Sequence, residues 1–153
     1  MTTIATGGFS NYNESLGFFN SRFIESSAII FILLGSIPFI SYIKFLNGDR
    51  EIFFKDIQIK TFLKIIFFSI VILSIYLNFN GSIKFDFIAV LFNVISILTG
   101  TGYVNAQFDS WGSFSLVLFL ILMFIGGCAG STTCGVKISV SYTHLTLPTK
   151  NEV

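Results

Sequence analysis

Two apolar stretches of twelve residues, Phe87 to Leu98 and Phe114 to Ile125, each run straight into glycines and hydroxyl residues, and this pairing constrains the chain more than any other feature. Both sit inside longer charge-free runs, Phe87 to Phe108 (22 residues) and Ser110 to Val136 (27 residues). A twelve-residue helix is about 18 Å long, whereas a hydrocarbon core about 30 Å thick needs about 20 residues to cross it. Each helix therefore reaches only partway through a bilayer. After Leu98 come Thr99-Gly100-Thr101-Gly102-Tyr103 and the polar Asn105, Gln107 and Asp109. Two glycines within three residues would weaken a continuing helix by about 1 kcal/mol each. The economical reading is a half-membrane helix followed by an extended return, a backbone tolerated at that depth only where protein buries it or a wet cavity adjoins it. After Ile125, the stretch Gly126 to Gly135 holds four glycines and three hydroxyl residues and reads as a helix interrupted inside the membrane. A small-residue packing surface is the competing reading, since Gly126 and Gly130 have GxxxG spacing.

Composition agrees with a membrane setting. Charged residues make up 11% of the chain and apolar ones 53%, against about 25% charged in a soluble domain. The fold class expected is an all-α membrane protein of repeated helix–pore-loop–helix units. The charge-free runs Ser26 to Ile43, extended to about Phe23–Leu46, and Ile65 to Ile83 read as ordinary spanning helices. Pro38 after Gly35-Ser36 predicts a packing kink in the first. A net charge of +1 without a basic patch argues against nucleic acid and leaves membrane lipid as the expected surrounding. Cys128 and Cys134 lack metal-ligand spacing and read as small apolar fillers. With no Ser/His/Asp, Cys/His or paired-carboxylate constellation, neither an enzyme nor a cofactor is expected. Met1 to Asn13 lack the basic and apolar regions of a signal peptide, and the abrupt polar start predicts a missing upstream segment.

Charge also orients the chain. Lys44, Arg50, Lys55, Lys60 and Lys64 lie between the first two helices, whereas the segments around 80–84 and 104–113 carry one basic residue between them. The positive-inside rule puts the first segment in the cytoplasm, and the path then returns Lys137 to that side as a positive-inside anchor. Glu25, near Arg22, reads as an interfacial charge or ion pair, and so does Asp109. Asn93, polar within the half-helix, is expected to bond neighbouring backbone.

The chain repeats itself. Gly8, Phe9 and Asn11 recur 94 residues later as Gly102, Tyr103 and Asn105, both times ahead of a polar connector and an inward-going helix. The unit is outer helix, half-helix, glycine turn and inner helix. Glycine permits dihedrals that a Cβ would forbid, so successive carbonyl oxygens can face one way. Rings of such carbonyls replace the hydration shell of potassium. Gly8 and Gly102 are the expected geometry-setting residues, Thr6, Gly7, Gly100 and Thr101 the carbonyl donors, and Phe9 and Tyr103 the aromatic wedges behind them.

At these residues the chain resembles the Trk/Ktr family of potassium transporters. The matching strings are Thr2 to Ser10, Ile24-Glu25, Ile30 to Phe39, Phe92 to Ser96 with Thr101-Gly102-Tyr103, and Phe124 to Thr132. The resemblance covers about residues 1–138. It implies four helix–pore-loop–helix units around one pore in a bacterial inner membrane, with potassium as substrate. On that pattern residues 1–46 end the second unit, 47–64 form a cytoplasmic loop, and 65–138 make the third unit. Such a partial pore is not expected to transport alone. The resemblance further implies a gate loop containing Gly126, Gly127, Gly130, Ser131, Thr132 and Gly135, a homodimer, and a cytosolic nucleotide-binding regulatory subunit. Thr133-Cys134-Gly135 stands where the family usually has three glycines, which implies a stiffer loop. Residues 139–153, Thr-rich with Pro148 and His144, do not continue the match and read as a non-native tail. The reading from a different class is a non-transporting helical membrane anchor or assembly module built from plain spans.

Overall fold

The computed structural model describes residues 2–12, 15–19, 21–48, 56–80, 86–106 and 108–135. Arg50, Lys55, Lys137, His144 and the 139–153 tail lie outside the described residues. The helices are α1 (Arg22–Ser36), α2 (Phe39–Leu46), α3 (Ile57–Asn80), α4 (Phe87–Leu98) and α5 (Ser113–Phe124). Short 3-10 turns at Ser15–Phe19 and Phe108–Trp111 precede α1 and α5.

The half-helix α4 is the centre of the molecule, with α1, α3 and α5 packed around it. Asp86 caps its start by accepting the Ile88 N–H at 3.1 Å, which satisfies one donor that a helix N-terminus leaves orphaned. Val90, Phe92, Val94, Ile95 and Leu98 are buried around its circumference, as expected of a helix enclosed by others. Its bounds coincide with the twelve-residue apolar run. α5 likewise stops at Phe124, and no helix continues among residues 125–135. The glycine stretch is an interruption, not a helix-packing face.

α3 is the one described helix long and apolar enough to cross a membrane by itself. It buries Ile59, Phe62, Ile66, Ile70, Leu73 and Leu77 at three- and four-residue spacing, while Leu63, Phe67, Phe68, Ile72, Ile75 and Phe79 face outward. That outer face is far too apolar for water and suits lipid tails. α3 begins at Ile57, earlier than the charge-free run, and so carries Lys60 and Lys64 on its first turns.

The first inner helix departs from the single kinked span predicted for it. α1 and α2 are bent by 87° at residues 37–38. This is a break, well beyond a proline kink. Pro38 has no N–H to donate, and the Leu34 carbonyl it leaves behind accepts the Tyr42 hydroxyl at 2.6 Å. Arg22 pairs with Asp86, at 4.0 Å and with both side chains exposed, instead of with Glu25. A pair so exposed contributes little.

Candidate functional site

Three positions in each glycine segment share one backbone pattern. Thr6 and Gly8 have φ of 47° and 64°, and Gly100 and Gly102, their counterparts 94 residues on, have φ of 71° and 79°. Gly7 and Thr101, between them, lie outside the left-handed region. Alternating the sign of φ turns successive peptide planes so that neighbouring carbonyls face the same side instead of opposite sides. Thr6, Thr101 and Tyr103 bury their side chains, whereas the Gly7, Gly100 and Gly102 backbones are exposed. Side chains behind and bare backbone in front is an arrangement that can offer oxygens to a dehydrated cation.

The same hydrogen bonds hold both segments. The Thr101 N–H donates to the Ser96 carbonyl at 2.9 Å, and the Gly7 N–H to the Thr2 carbonyl at 2.8 Å. The Ser96 hydroxyl donates to the Tyr103 carbonyl at 2.7 Å, and the Thr2 hydroxyl lies 3.5 Å from the Phe9 carbonyl. Ser96 and Thr2 thus clasp the two ends of each segment. Sequence reasoning gave neither residue a role, although they stand in the same 94-residue register and could have been found by running the repeat backwards. Ser96 sits on the last turn of α4, where Thr99 bonds the Ile95 carbonyl at 2.8 Å and closes the helix.

The segments also touch each other. A Cβ on Gly8 would collide with the Thr101 carbonyl oxygen. The Tyr103 hydroxyl lies 2.6 Å from Thr2 Oγ1, so the second aromatic stands behind the first segment as a strut. Phe9 does not take the equivalent position. It is 80% exposed, against 4% for Tyr103. Beyond the segments, the Gly17 N–H donates to the Val104 carbonyl at 3.2 Å and ties the two polar connectors together.

The interrupted segment after α5 folds back on itself. A Cβ on Gly126 would strike the Cys134 carbonyl, and one on Gly127 the Thr133 side chain. Gly130, at φ 76°, makes the turn, and Ser131 bonds the Cys128 carbonyl at 2.6 Å and Thr133 Oγ1 at 2.8 Å. Gly135, at φ 89°, lies against Gly126. The hairpin reaches the first segment directly, since the Thr6 hydroxyl donates to the Thr132 carbonyl at 2.8 Å. Cys134 is exposed and its Cβ would be 3.1 Å from a Cβ on Gly100, so it is not the buried filler read from sequence; Cys128 is fully buried. Asn93 departs from expectation as well. It is fully buried, yet neither side-chain atom finds a partner among the described residues.

The pattern of the TrkH family, described as cation transport protein, matches residues 1–149. The chain belongs to the TrkH family. Its relatives include the Trk system potassium uptake protein TrkI of Halomonas elongata, 38% identical over 140 residues that cover 90% of this chain and 28% of the relative. A second is the Trk system potassium uptake protein TrkH of Vibrio parahaemolyticus, 33% identical over 143 residues, 90% of this chain and 30% of the relative. The crystal structure of the potassium transporter TrkH from Vibrio parahaemolyticus superposes with a TM-score of 0.87 at 31% identity, covering 94% of this chain and 32% of that one. The chain therefore spans under a third of the length of these relatives. Membership makes it a membrane protein of a cation-transporter family, with the helix–pore-loop repeat read from sequence.

Proposed function

We propose that residues 2–9 and 96–103 are two filter segments of a potassium-translocating pore, and that residues 126–135 form its intramembrane gate. The observation that carries this reading is the alternating positive φ, repeated at Thr6 and Gly8 and again at Gly100 and Gly102, with buried side chains behind exposed glycine backbone. Relatives named as potassium uptake proteins, a half-membrane helix too short to be a span, and the hairpin bonded to the first segment all support it. The ion sheds water against the carbonyls around Gly7, Gly8, Thr101 and Gly102, passes inward, and meets the hairpin. Two segments make half of a fourfold ring, so transport needs the remaining units of a complete transporter. A multi-pass protein of the bacterial inner membrane, a homodimeric assembly and a cytosolic nucleotide-binding regulatory subunit are the surroundings this reading implies.

The test uses a complete relative whose matching third is replaced by residues 1–135 of this chain. In that chimera Gly102→Ser, at a backbone with φ 79°, is expected to lower the ratio of potassium to sodium uptake at least tenfold. An unchanged ratio would leave the filter assignment without support.

A further inference from the structure

The 87° break in the first inner helix and the hairpin after α5 complete each other's hydrogen bonding. In an unbroken α-helix the Phe39 N–H would donate to the Gly35 carbonyl, four residues back. Here the Phe39 N–H donates to the Gly130 carbonyl at 3.0 Å instead. The Gly35 carbonyl accepts the Thr132 N–H at 3.2 Å, and the Thr132 hydroxyl lies 3.1 Å from it. The hairpin has thus inserted itself into one i,i+4 pair and taken both halves. Thr132 also holds the first filter segment, accepting the Thr6 hydroxyl on its carbonyl at 2.8 Å, with its own hydroxyl 3.1 Å from the Ile4 carbonyl. Gly35 has to be bare for this meeting, because a Cβ there would collide with the Ile4 carbonyl.

From this we infer that Thr132 is a positioning residue that latches the gate hairpin to the filter and to the bent helix together, so that releasing the hairpin lets the helix straighten. The inference rests on reading 126–135 as the gate. Its physical ground is that the groups released are complementary. When the hairpin leaves, the Phe39 N–H and the Gly35 carbonyl can bond each other, so neither is stranded in a dry interior, where an unpaired backbone group is costly. Pro38 does not prevent this closure, since the bond it abolishes is its own to Leu34, and the Tyr42 hydroxyl already occupies that carbonyl. The helix therefore has two self-consistent arrangements, bent with the hairpin docked and straighter with it released, which is the kind of bistable element a gate requires. Pro38 favours the bent form, because its ring crowds the preceding turn of a continuous helix.

The experiment reads helix shape and ion flux separately in the chimera, reconstituted in nanodiscs. Spin labels at Phe23→Cys and Leu46→Cys, both on exposed positions, are introduced with Cys134→Ser. Helices of 15 and 8 residues at 87° place the labelled ends about 25 Å apart, and one continuous helix about 35 Å. Thr132→Val, which keeps the shape and loses the hydroxyl, is expected to move part of the distribution to the long distance. It should also raise rubidium flux roughly two- to tenfold, the weight of one net hydrogen bond. Thr132→Ser, which keeps the hydroxyl, should stay at the short distance. Pro38→Ala, which leaves the hairpin untouched, should produce the same long distance and the same rise in flux. If neither Thr132→Val nor Pro38→Ala populates the long distance, the latch is overturned whatever the flux does. If the long distance appears and flux does not change, the bond exchange stands and the gate reading falls.

Discussion

The first glycine segment, residues 2–9, and the second, residues 96–103, have the same backbone signs and the same clasp, yet they are held very differently. In the second, the clasp from Ser96 is short and buried, the turn-forming positions are both glycine, and Tyr103 is enclosed. In the first, the clasp from Thr2 is stretched to 3.5 Å, a threonine takes the left-handed conformation at position 6, and Phe9 projects outward. The second segment is braced by the helix that precedes it, α4. The first is braced by the second, through Tyr103 on Thr2 and the Thr101 carbonyl against Gly8, and by the hairpin, through Thr132 on Thr6. Two copies of one design are therefore held in different ways, one rigidly on its own helix and the other tied to the hairpin.

The sharpest way to break the comparison is at the paired glycines. Gly8→Ala puts a methyl into the Thr101 carbonyl, a backbone atom that cannot swing aside, and also forces alanine to φ 64°. Overpacking and left-handed strain together are worth about 2–4 kcal/mol. Gly102→Ala has nothing within 4 Å among the described residues, so only the strain of φ 79° remains, about 1 kcal/mol. Thermal unfolding of the chain in detergent should separate the two variants in that order. Equal shifts would show that the two sites are equally crowded and that the asymmetry is not real.

Much of this arrangement is legible in the residues. The twelve-residue runs that end in glycine mark α4 and α5 almost to the residue, because glycine cost and apolar length act locally. The 94-residue repeat announces both segments, and it extends to Thr2 and Ser96 once hydrogen bonds are compared. What could not be read is what depends on distant chain. Gly35-Ser36-Ile37-Pro38 predicts a kink, but its growth to 87° comes from the Gly130 carbonyl and the Thr132 N–H, supplied from almost a hundred residues away. Phe9 and Tyr103 look interchangeable in sequence. They differ because a phenol can reach Thr2 and a phenyl has no such partner. Asn93 predicts a bonded amide by rule, and nothing local reveals that it finds no partner among the described residues.

A smaller effect tests the clasps themselves. Ser96→Ala leaves the buried Tyr103 carbonyl without the hydroxyl that serves it at 2.7 Å, which costs about 1–3 kcal/mol. Thr2→Ala removes a 3.5 Å contact that water can replace at an exposed site, together with the hydroxyl beside Tyr103 Oη. The Tyr103 hydroxyl can turn toward the Phe9 carbonyl, already 3.5 Å away, so the expected cost is under about 1 kcal/mol. Amide hydrogen exchange at Thr101 should quicken clearly in the first variant and little in the second. The reverse order would mean that the first segment, not the second, is the rigid one.

The smallest change in stability is expected at Thr6, where two terms oppose each other. Holding a β-branched residue at φ 47° costs about 1–2 kcal/mol, and Thr6→Gly removes that strain by copying Gly100. The same substitution deletes the hydroxyl that donates to the Thr132 carbonyl at 2.8 Å, a loss of about 1 kcal/mol. The net shift in unfolding free energy should be within about 1 kcal/mol of zero. Thr6→Val retains the strained backbone and loses the bond, so it should be the less stable of the two by roughly the strain that glycine relieves. A stable Thr6→Val beside an unstable Thr6→Gly would mean that the threonine is kept for its bulk. The sequence difference between Thr6 and Gly100 would then have nothing to do with the hairpin. With the expected order, the strain at Thr6 is tolerated because it aims one hydroxyl at the loop, a contact that a glycine there could not make.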